Sequence, residues 1–324
     1  MTWTRLGQAV DALLTSPQFA AGWWCGVVAF GAGVAAAVVH RSRSRPAPVP
    51  MLGLLFGGAV LLAVGMTLGW PAGLALGLLV LAGAGVAGSW MGVGPLLSML
   101  LAVPGAWLVV FRGAPPLAGW LRLLTMTAVV AGGWLLADVD RRWGRAGFVP
   151  VLLAVSVAGV YATVPDTEQA LAALGVALPL ALLGWPRPLA SLGQGGAYVA
   201  AGTLVWVVSA GGVGRASSVI GGVACLGLLV VEPLARGLHP DRRSVVDCLP
   251  SGRWGPPAVT TLHLSLVYPA ARVVGLRPSV TQAAILAGVG LAGAVLVALG
   301  ATLGWCKPSD EHDAEPARSG GWGA

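Results

Sequence analysis

Long apolar stretches alternate with short polar connections along this chain from Phe19 to Trp305. Each stretch is apolar on every face, whereas a soluble amphipathic helix or a barrel strand would show a polar face. A helical bilayer span needs roughly 20 apolar residues, and lipid tolerates no unpaired backbone groups. The pattern therefore predicts an all-α fold, a polytopic integral membrane bundle of ten or eleven transmembrane helices.

Eleven segments have the length and apolarity of a span. They cover residues 19–39, 51–69, 72–90, 93–111, 117–137, 148–164, 168–185, 196–213, 216–236, 257–276 and 282–305. The segment 257–276 is more polar than the others, since it contains His263, Tyr268 and Arg272. A re-entrant or interfacial course for this segment would leave ten spans.

Two short regions flank the predicted transmembrane domain of residues 19–305. In residues 1–18, apolar side chains recur at helical spacing between polar ones, which indicates an amphipathic segment lying on the membrane interface. Ser16 and Pro17 suit the N-cap and first turn of the first span. Residues 306–324 are polar and acidic without apolar periodicity, so we expect a disordered tail.

The composition agrees with a membrane protein and argues against a nucleic-acid partner. Charged residues make up 10% of the 324 residues, and the mean hydropathy is +0.83. The net charge of +7 comes from arginines that lie singly or in threes beside predicted helix ends. Lys307 is the single lysine, and with abundant Ala, Gly and Val this is typical of a bacterial, GC-rich coding sequence.

The arginines also predict an orientation. We place the loop with Arg41, Arg43 and Arg45 in the cytoplasm and let successive loops alternate between the two sides of the membrane. Three further arginine groups then fall on the cytoplasmic side. These groups are Arg141, Arg142 and Arg145; Arg187; and Arg236, Arg242 and Arg243. We therefore expect a multi-pass protein of the inner (plasma) membrane with an external N-terminus and, with eleven spans, a cytoplasmic C-terminus.

Glycines and tryptophans have structural interpretations in this setting. Pairs four residues apart, such as Gly22 with Gly26 and Gly73 with Gly77, favour close helix packing. The 14 tryptophans gather at predicted helix ends, where an indole suits the headgroup layer. The LGWP sequence at 68–71 recurs at 183–186, and LGW recurs at 303–305, which raises the hypothesis of an inverted repeat.

Ionisable residues inside spans are the first candidates for function, because placing a charge in lipid is unfavourable. Glu232, Arg236 and His239 share one helical face near the end of the ninth predicted span. They suit a carboxylate site for a proton or cation, or an Arg and His pair for a lipid phosphate. An ion pair that neutralises a helix end is the structural alternative.

A second candidate position surrounds His263, whose neighbours include Thr260, Thr261, Ser265 and Tyr268. An imidazole among hydroxyls can relay protons or act as a base, because its pKa is ordinarily near neutrality. A hydrogen-bonded packing role is the alternative.

The fifth predicted span has an ionisable residue near each end. Asp138 and Asp140 precede Arg141 and Arg142, and pairing within the helix explains them, with a phosphate or metal role as the alternative. Arg122 lies about one turn inside the other end, where it can extend toward the interface or contact an anionic substrate. Histidine, cysteine and acidic residues show no standard ligand spacing, so no metal or cofactor is predicted.

For function, the sequence favours transport or flipping of a small or lipid-like solute, because nearly the whole chain is membrane domain with only isolated polar groups. Membrane lipids are the expected partners. The alternatives are an intramembrane enzyme acting on a lipid-linked substrate, centred on Glu232 and His263, and a non-catalytic assembly subunit of a membrane complex.

Overall fold

The structure is a computed structural model that describes most of the first 211 residues. It covers residues 11, 13–43, 49–92, 94–114, 119–143, 148–163, 168–184 and 189–211, with isolated positions between 279 and 296. These residues form eight α-helices and one short pair of strands. The helices are α1 (Pro17–Arg43), α2 (Leu52–Thr67), α3 (Ala72–Trp90), α4 (Pro95–Leu108), α5 (Gly119–Trp143), α6 (Phe148–Thr163), α7 (Glu168–Ala181) and α8 (Gly193–Gly211).

The first eight predicted spans are confirmed as helices, within about six residues at every boundary. Ser16 caps α1 as predicted, because its Oγ accepts a hydrogen bond from the Phe19 N–H at 3.3 Å. Predicted spans 216–236 and 257–276 lie outside the described residues. Within the last predicted span, the isolated described positions are helical, and Ser279 Oγ accepts a hydrogen bond from the Gln282 N–H.

Length and apolarity give the helices the properties of membrane spans. In the described part of the chain, four helices can cross a membrane: Pro17–Ser42, Ala72–Trp90, Leu96–Gly113 and Gly119–Arg141. Large apolar side chains such as Val28, Leu79 and Leu96 point outward and are at least 70% exposed. Water would disfavour such a surface, whereas lipid tails would cover it, so the fold indicates a membrane location.

The short strands define one end of the bundle. β1 (Val49–Pro50) pairs in parallel with β2 (Ala190–Ser191), immediately before α2 and α8 respectively. Because the strands are parallel and each leads into a helix, α2 and α8 begin at the same end. We call this the β1–β2 end. If successive helices run in opposite directions, as the predicted topology requires, the last turns of α1, α3, α5 and α7 lie at this end as well.

The Leu-Gly pairs that begin the two LGWP sequences lie at opposite ends of the bundle. The Leu183 carbonyl accepts a hydrogen bond from Leu189, whose own carbonyl accepts one from Val49 in β1. Leu183 and Gly184 are therefore at the β1–β2 end, whereas Leu68 and Gly69 follow α2 at the far end. This placement is the one that an inverted repeat requires, and the repeat stays a prediction.

α8 is the central helix of the described bundle. It packs against α5, α3, α2 and α7. Its side chains from Ala197 to Val208 are buried on nearly all faces, including Tyr198 and Trp206. Glycines allow the first turn to approach its neighbours closely: Gly195 lies against Gly85 of α3, and Gly196 against Gly53 of α2.

α1 packs closely along α7, and glycine makes this approach possible. A Cβ added at Gly22 would overlap the Ala172 carbonyl oxygen, and one at Gly26 would lie 2.8 Å from the Val176 carbonyl oxygen. On α7, Gly175 meets Phe19 and Trp23 of α1 in the same way. The prediction that Gly22 and Gly26 mark a helix contact is confirmed.

Candidate functional site

The described residues include two of the predicted candidates, Asp138 and Arg122. Both lie on α5, but 16 residues of helix separate them by about 24 Å along its axis. They therefore belong to different places. The other predicted candidates lie outside the described residues: Glu232, Arg236, His239, His263 and Tyr268.

Asp138 lines a polar cavity at the β1–β2 end of the bundle. The cavity has a volume of about 460 Å³ and lies between the last turns of α3 and α5 and the first turn of α8. Its polar lining consists of Ser89, Trp134, Asp138, Arg141 and Gln194, and the rest is glycine and alanine. We call it the α3–α5–α8 cavity. Its size lies within the range of about 300–1,000 Å³ typical of ligand sites.

One face of α5 forms the charged wall of the cavity. Trp134, Ala137, Asp138 and Arg141 stand at positions i, i+3, i+4 and i+7, so the helical repeat brings all four to the same side. Asp138 and Trp134 are half-buried, and Arg141 is exposed. The wall thus carries one negative charge, one positive charge and an indole, each about one turn from the next.

Gln194 lines the cavity from the first turn of α8 and is held by buried hydroxyls. Its Nε2 donates a hydrogen bond to Ser98 Oγ of α4 at 3.1 Å, and Ser98 Oγ is 3.1 Å from the Tyr198 hydroxyl. Ser98 and Tyr198 are both buried. The row Gln194, Ser98, Tyr198 therefore leads from the cavity into the apolar core and fixes the Gln194 amide.

Asp140 holds the start of α8 against α5 but does not line the cavity. Its two carboxylate oxygens accept hydrogen bonds from the backbone N–H groups of Leu192 at 2.7 Å and Gly193 at 2.8 Å. Both donors lie at a helix N-terminus, where the unpaired N–H groups and the helix dipole favour a negative charge. The sequence suggested pairing of Asp138 and Asp140 with arginines of the same helix; for Asp140 the structure adds this contact between helices, which the sequence did not indicate.

Backbone geometry at Gly193 supports the same junction. Its φ of +66° is the left-handed conformation that glycine adopts without strain. An added Cβ would lie 2.8 Å from Pro50 Cβ in β1, so the position also lacks space for a side chain. Asp140 and Gly193 together determine where Gln194 enters the cavity.

Arg122 occupies a separate position at the far end of the bundle. Its guanidinium carbon lies 5.1 Å from the centroid of the Phe111 ring, which itself stacks on Trp107. Its Nε is buried without a hydrogen-bond partner. The cation–π contact stabilises the positive charge of Arg122. Phe111 lies in the π-helical turn Val109–Gly113, in which α4 ends.

Several residues around the cavity were not identified from the sequence. Gln194, Ser98 and Tyr198 are single polar residues in otherwise apolar helices, a pattern that also fits ordinary packing. The glycines beside Gln194 were the available signal, since they indicate close approach of helices around a polar group. Among the described residues no group of His, Cys, Asp and Glu can hold a metal ion, and Cys25 is a free thiol.

The fold is a mostly helical bundle in which four of the described helices are long and apolar enough to span a membrane, and a polar cavity lies at one end of it. No family model matches the chain, and no curated protein matches its sequence.

Proposed function

We propose that the protein is a multi-pass transporter of the inner membrane, with ten or eleven spans, that moves or flips a small or lipid-like solute. The α3–α5–α8 cavity is its binding vestibule. The observation that carries this proposal is the gathering of Asp138, Arg141 and Gln194 around about 460 Å³ of space in an otherwise apolar bundle. Because charged groups are unfavourable near lipid, their convergence on a cavity supports a solute path.

Irregular helices that pack against the cavity-lining helices support the same proposal. α4 contains Pro104 and continues into the π-helical turn Val109–Gly113, and α7 contains Pro179. Proline and π-turns interrupt the regular hydrogen bonding of a helix and allow it to bend. Transporter helices often carry such interruptions near their substrate sites. Ser98 on α4 joins this irregular helix to Gln194 in the cavity.

The arginines support a cytoplasmic opening for the vestibule. Arg41 and Arg43 end α1, and Arg141 and Arg142 end α5, so the described part of the chain has both pairs at one end. The positive-inside rule assigns that end to the cytoplasm. The N-terminus is then external, and the C-terminal tail is cytoplasmic if the chain has eleven spans.

A purely structural assembly subunit would require no polar cavity between packed helices, so the cavity favours the transport proposal over that role. Glu232 and His263, on which the alternative enzyme would be centred, lie outside the described residues. The cavity makes transport the function that we propose.

Reconstitution into proteoliposomes tests the proposal. Vesicles with purified protein would be incubated with a defined mixture of amino acids, polyamines, sugars and nucleosides, and the lumen analysed by mass spectrometry. A parallel assay would measure flipping of fluorescent phospholipids by chemically reducing the fluorophores that are exposed in the outer leaflet. We expect accumulation of one solute class or accelerated flipping that Arg141→Gln reduces at least tenfold.

The matched control is Arg112→Gln, because Arg112, like Arg141, is an exposed arginine but lies at the far end and does not line the cavity. It should leave uptake unchanged. No uptake of any class together with no flipping, in protein that is monodisperse and folded, would overturn the proposed function.

A further inference from the structure

The wall that α5 gives to the α3–α5–α8 cavity continues along the same helix as an apolar stripe. Trp134, Asp138 and Arg141 line the cavity at positions i, i+4 and i+7. Steps of three or four residues toward the start of α5 stay on the same face of the helix. The residues at these steps are Ala131, Thr127, Leu123 and Trp120. We call these four residues the α5 stripe.

Most of the α5 stripe lies on the outer surface of the bundle. Leu123 is 60% exposed and Trp120 is 53% exposed. Thr127 is also exposed, and its hydroxyl donates a hydrogen bond to the Leu123 backbone carbonyl at 2.9 Å, so that donor is satisfied within the helix. Lipid acyl chains suit such a surface better than water does. One face of α5 therefore joins a surface suited to acyl chains to a polar cavity.

The length of this face fits one leaflet of a bilayer. Trp134 lies at the border of the cavity, and Leu124, which is 40% exposed, lies beside the stripe. These two residues are ten positions apart, which is about 15 Å along the helix axis. The hydrocarbon core of a bilayer is about 30 Å thick, so one leaflet contributes about half of it. An acyl chain along this part of α5 would reach the bilayer centre while its headgroup lies at the cavity.

The cavity presents hydrogen-bond donors at the depth of that headgroup. Arg141 is exposed, and a guanidinium binds phosphate through paired hydrogen bonds. Ser89 adds a hydroxyl, and Trp134 adds an indole N–H. The Gln194 amide is held by its hydrogen bond to Ser98, so a contact with a ligand would cost it little conformational freedom.

The charge of Arg141 matches a phosphodiester. Asp138 already interacts within the protein, so we assign it no contact with a ligand. Arg141 is the one cationic residue among the described lining residues, and a phosphodiester carries one negative charge. Its pairing with Arg141 is the charge-assisted contact that favours an anionic headgroup.

From these observations we propose that the cavity admits an anionic phospholipid from the side, with its phosphate on Arg141 and an acyl chain along the α5 stripe. The inference deepens the proposed function, because it names a membrane phospholipid as the solute. It rests on that function for the role of the lipid as a transported molecule.

Binding to the full chain in detergent tests the inference independently of transport. Native mass spectrometry would measure the dissociation constants of dioleoylphosphatidylglycerol, of dioleoylglycerol, which lacks the phosphate, and of glycerophosphoglycerol, which lacks the acyl chains. We expect the phospholipid to bind at least about tenfold more tightly than either fragment, because the phosphate contact and the apolar contact both contribute.

Two variants with the same change of charge locate the phosphate. Arg141→Gln should weaken phosphatidylglycerol binding at least about tenfold and leave dioleoylglycerol binding unchanged. Arg112→Gln changes an exposed arginine at the far end and should alter neither affinity. Thermal unfolding would verify that both variants are folded. An equal loss in both variants would overturn the inference, because binding would then depend on overall charge.

Photocrosslinking locates the acyl chain. Phosphatidylglycerol with a diazirine on one acyl chain would be reconstituted with the protein, and the labelled residues identified by peptide mass spectrometry. Labelling at Leu123, Leu124 and Thr127 should decrease in Arg141→Gln, whereas labelling at Val28, exposed on α1, should not change. An unchanged ratio of stripe to Val28 labelling would contradict a lipid held by the cavity.

The remaining outcomes separate the inference from the proposed function. Equal binding of dioleoylglycerol and phosphatidylglycerol would overturn the inference. Equal binding of glycerophosphoglycerol would overturn it as well and would leave a soluble phosphodiester as the solute. Selective phosphatidylglycerol binding with neither uptake nor flipping would instead overturn the proposed function alone.

Discussion

The Asp140 carboxylate of α5 and the Gly193 backbone N–H of α8 form a 2.8 Å hydrogen bond across 53 positions of sequence. The other carboxylate oxygen accepts a hydrogen bond from Leu192 at 2.7 Å. One buried side chain thus fixes the first turn of the central helix. The same turn brings Gln194 to the cavity and leads on to Tyr198 in the core.

Removal of this carboxylate should destabilise the bundle. Asp140→Ala leaves two backbone donors without partners, and we expect a loss of about 2–4 kcal/mol in the free energy of unfolding. Thermal unfolding in detergent, followed by intrinsic fluorescence, measures the change. The exposed Asp11→Ala is the control and should unfold like the parent. Equal stability of Asp140→Ala and the parent would contradict the proposed role of Asp140.

The α1–α7 contact predicts opposite effects for two glycines of one helix. Gly22→Ala would force a Cβ into the Ala172 carbonyl oxygen and should reduce stability by about 1–3 kcal/mol. Gly31 meets nothing within 4 Å, so Gly31→Ala should be neutral or stabilise by up to about 1 kcal/mol through helix propensity. Thermal unfolding of both variants under identical conditions provides the measurement. A tolerated Gly22→Ala would show that the two helices are further apart.

The Ser98 and Tyr198 hydroxyls should be energetically coupled. A double-mutant cycle with Ser98→Ala and Tyr198→Phe should give an interaction of about 0.5–1.5 kcal/mol, the usual contribution of one buried hydrogen bond. Denaturant or thermal unfolding of the four proteins supplies the values.

Thr127→Ala is the matched control for this cycle, because its hydroxyl bonds to Leu123 of its own helix. It should show no coupling to Tyr198→Phe. Additive effects of Ser98→Ala and Tyr198→Phe would argue against a continuous polar row from the cavity into the core.

The proposed orientation can be read from cysteine labelling. In a background without the four native cysteines, Ser89→Cys at the cavity should react with a membrane-impermeant maleimide in inside-out vesicles and stay protected in intact spheroplasts. Leu68→Cys, exposed at the far end, should show the reverse. The opposite labelling pattern would place the vestibule outside.

Comparison of predicted and observed helices shows why their boundaries differ. The fifth span was predicted to end at residue 137, but α5 continues to Trp143. Asp138 and Asp140 interrupt the apolar pattern, which normally marks the end of a span. The helix continues because Asp138 faces the cavity and the Asp140 charge binds the N-terminus of α8.

The candidate site likewise combines residues that the sequence identified with residues that only the structure revealed. Asp138 was recognised because a carboxylate near a span is unusual, whatever its surroundings. Gln194 and Ser98 are 96 residues apart, and their hydrogen bond exists because α4 and α8 both pack against α3. The residues next to each of them in the sequence therefore carried too little information to identify the pair.

The sequence by itself determined that the fold is helical, that several helices are apolar enough to span a membrane, and where the first eight helices lie. That information is local, since a run of apolar residues in lipid must form its backbone hydrogen bonds within the run. Only the tertiary structure decided that α8 is central, that Asp140 anchors it, and that residues of α3, α5 and α8 enclose one cavity. Apolar helices have nearly uniform surfaces, so their arrangement depends on glycine contacts and a few polar pairs between residues far apart in the chain.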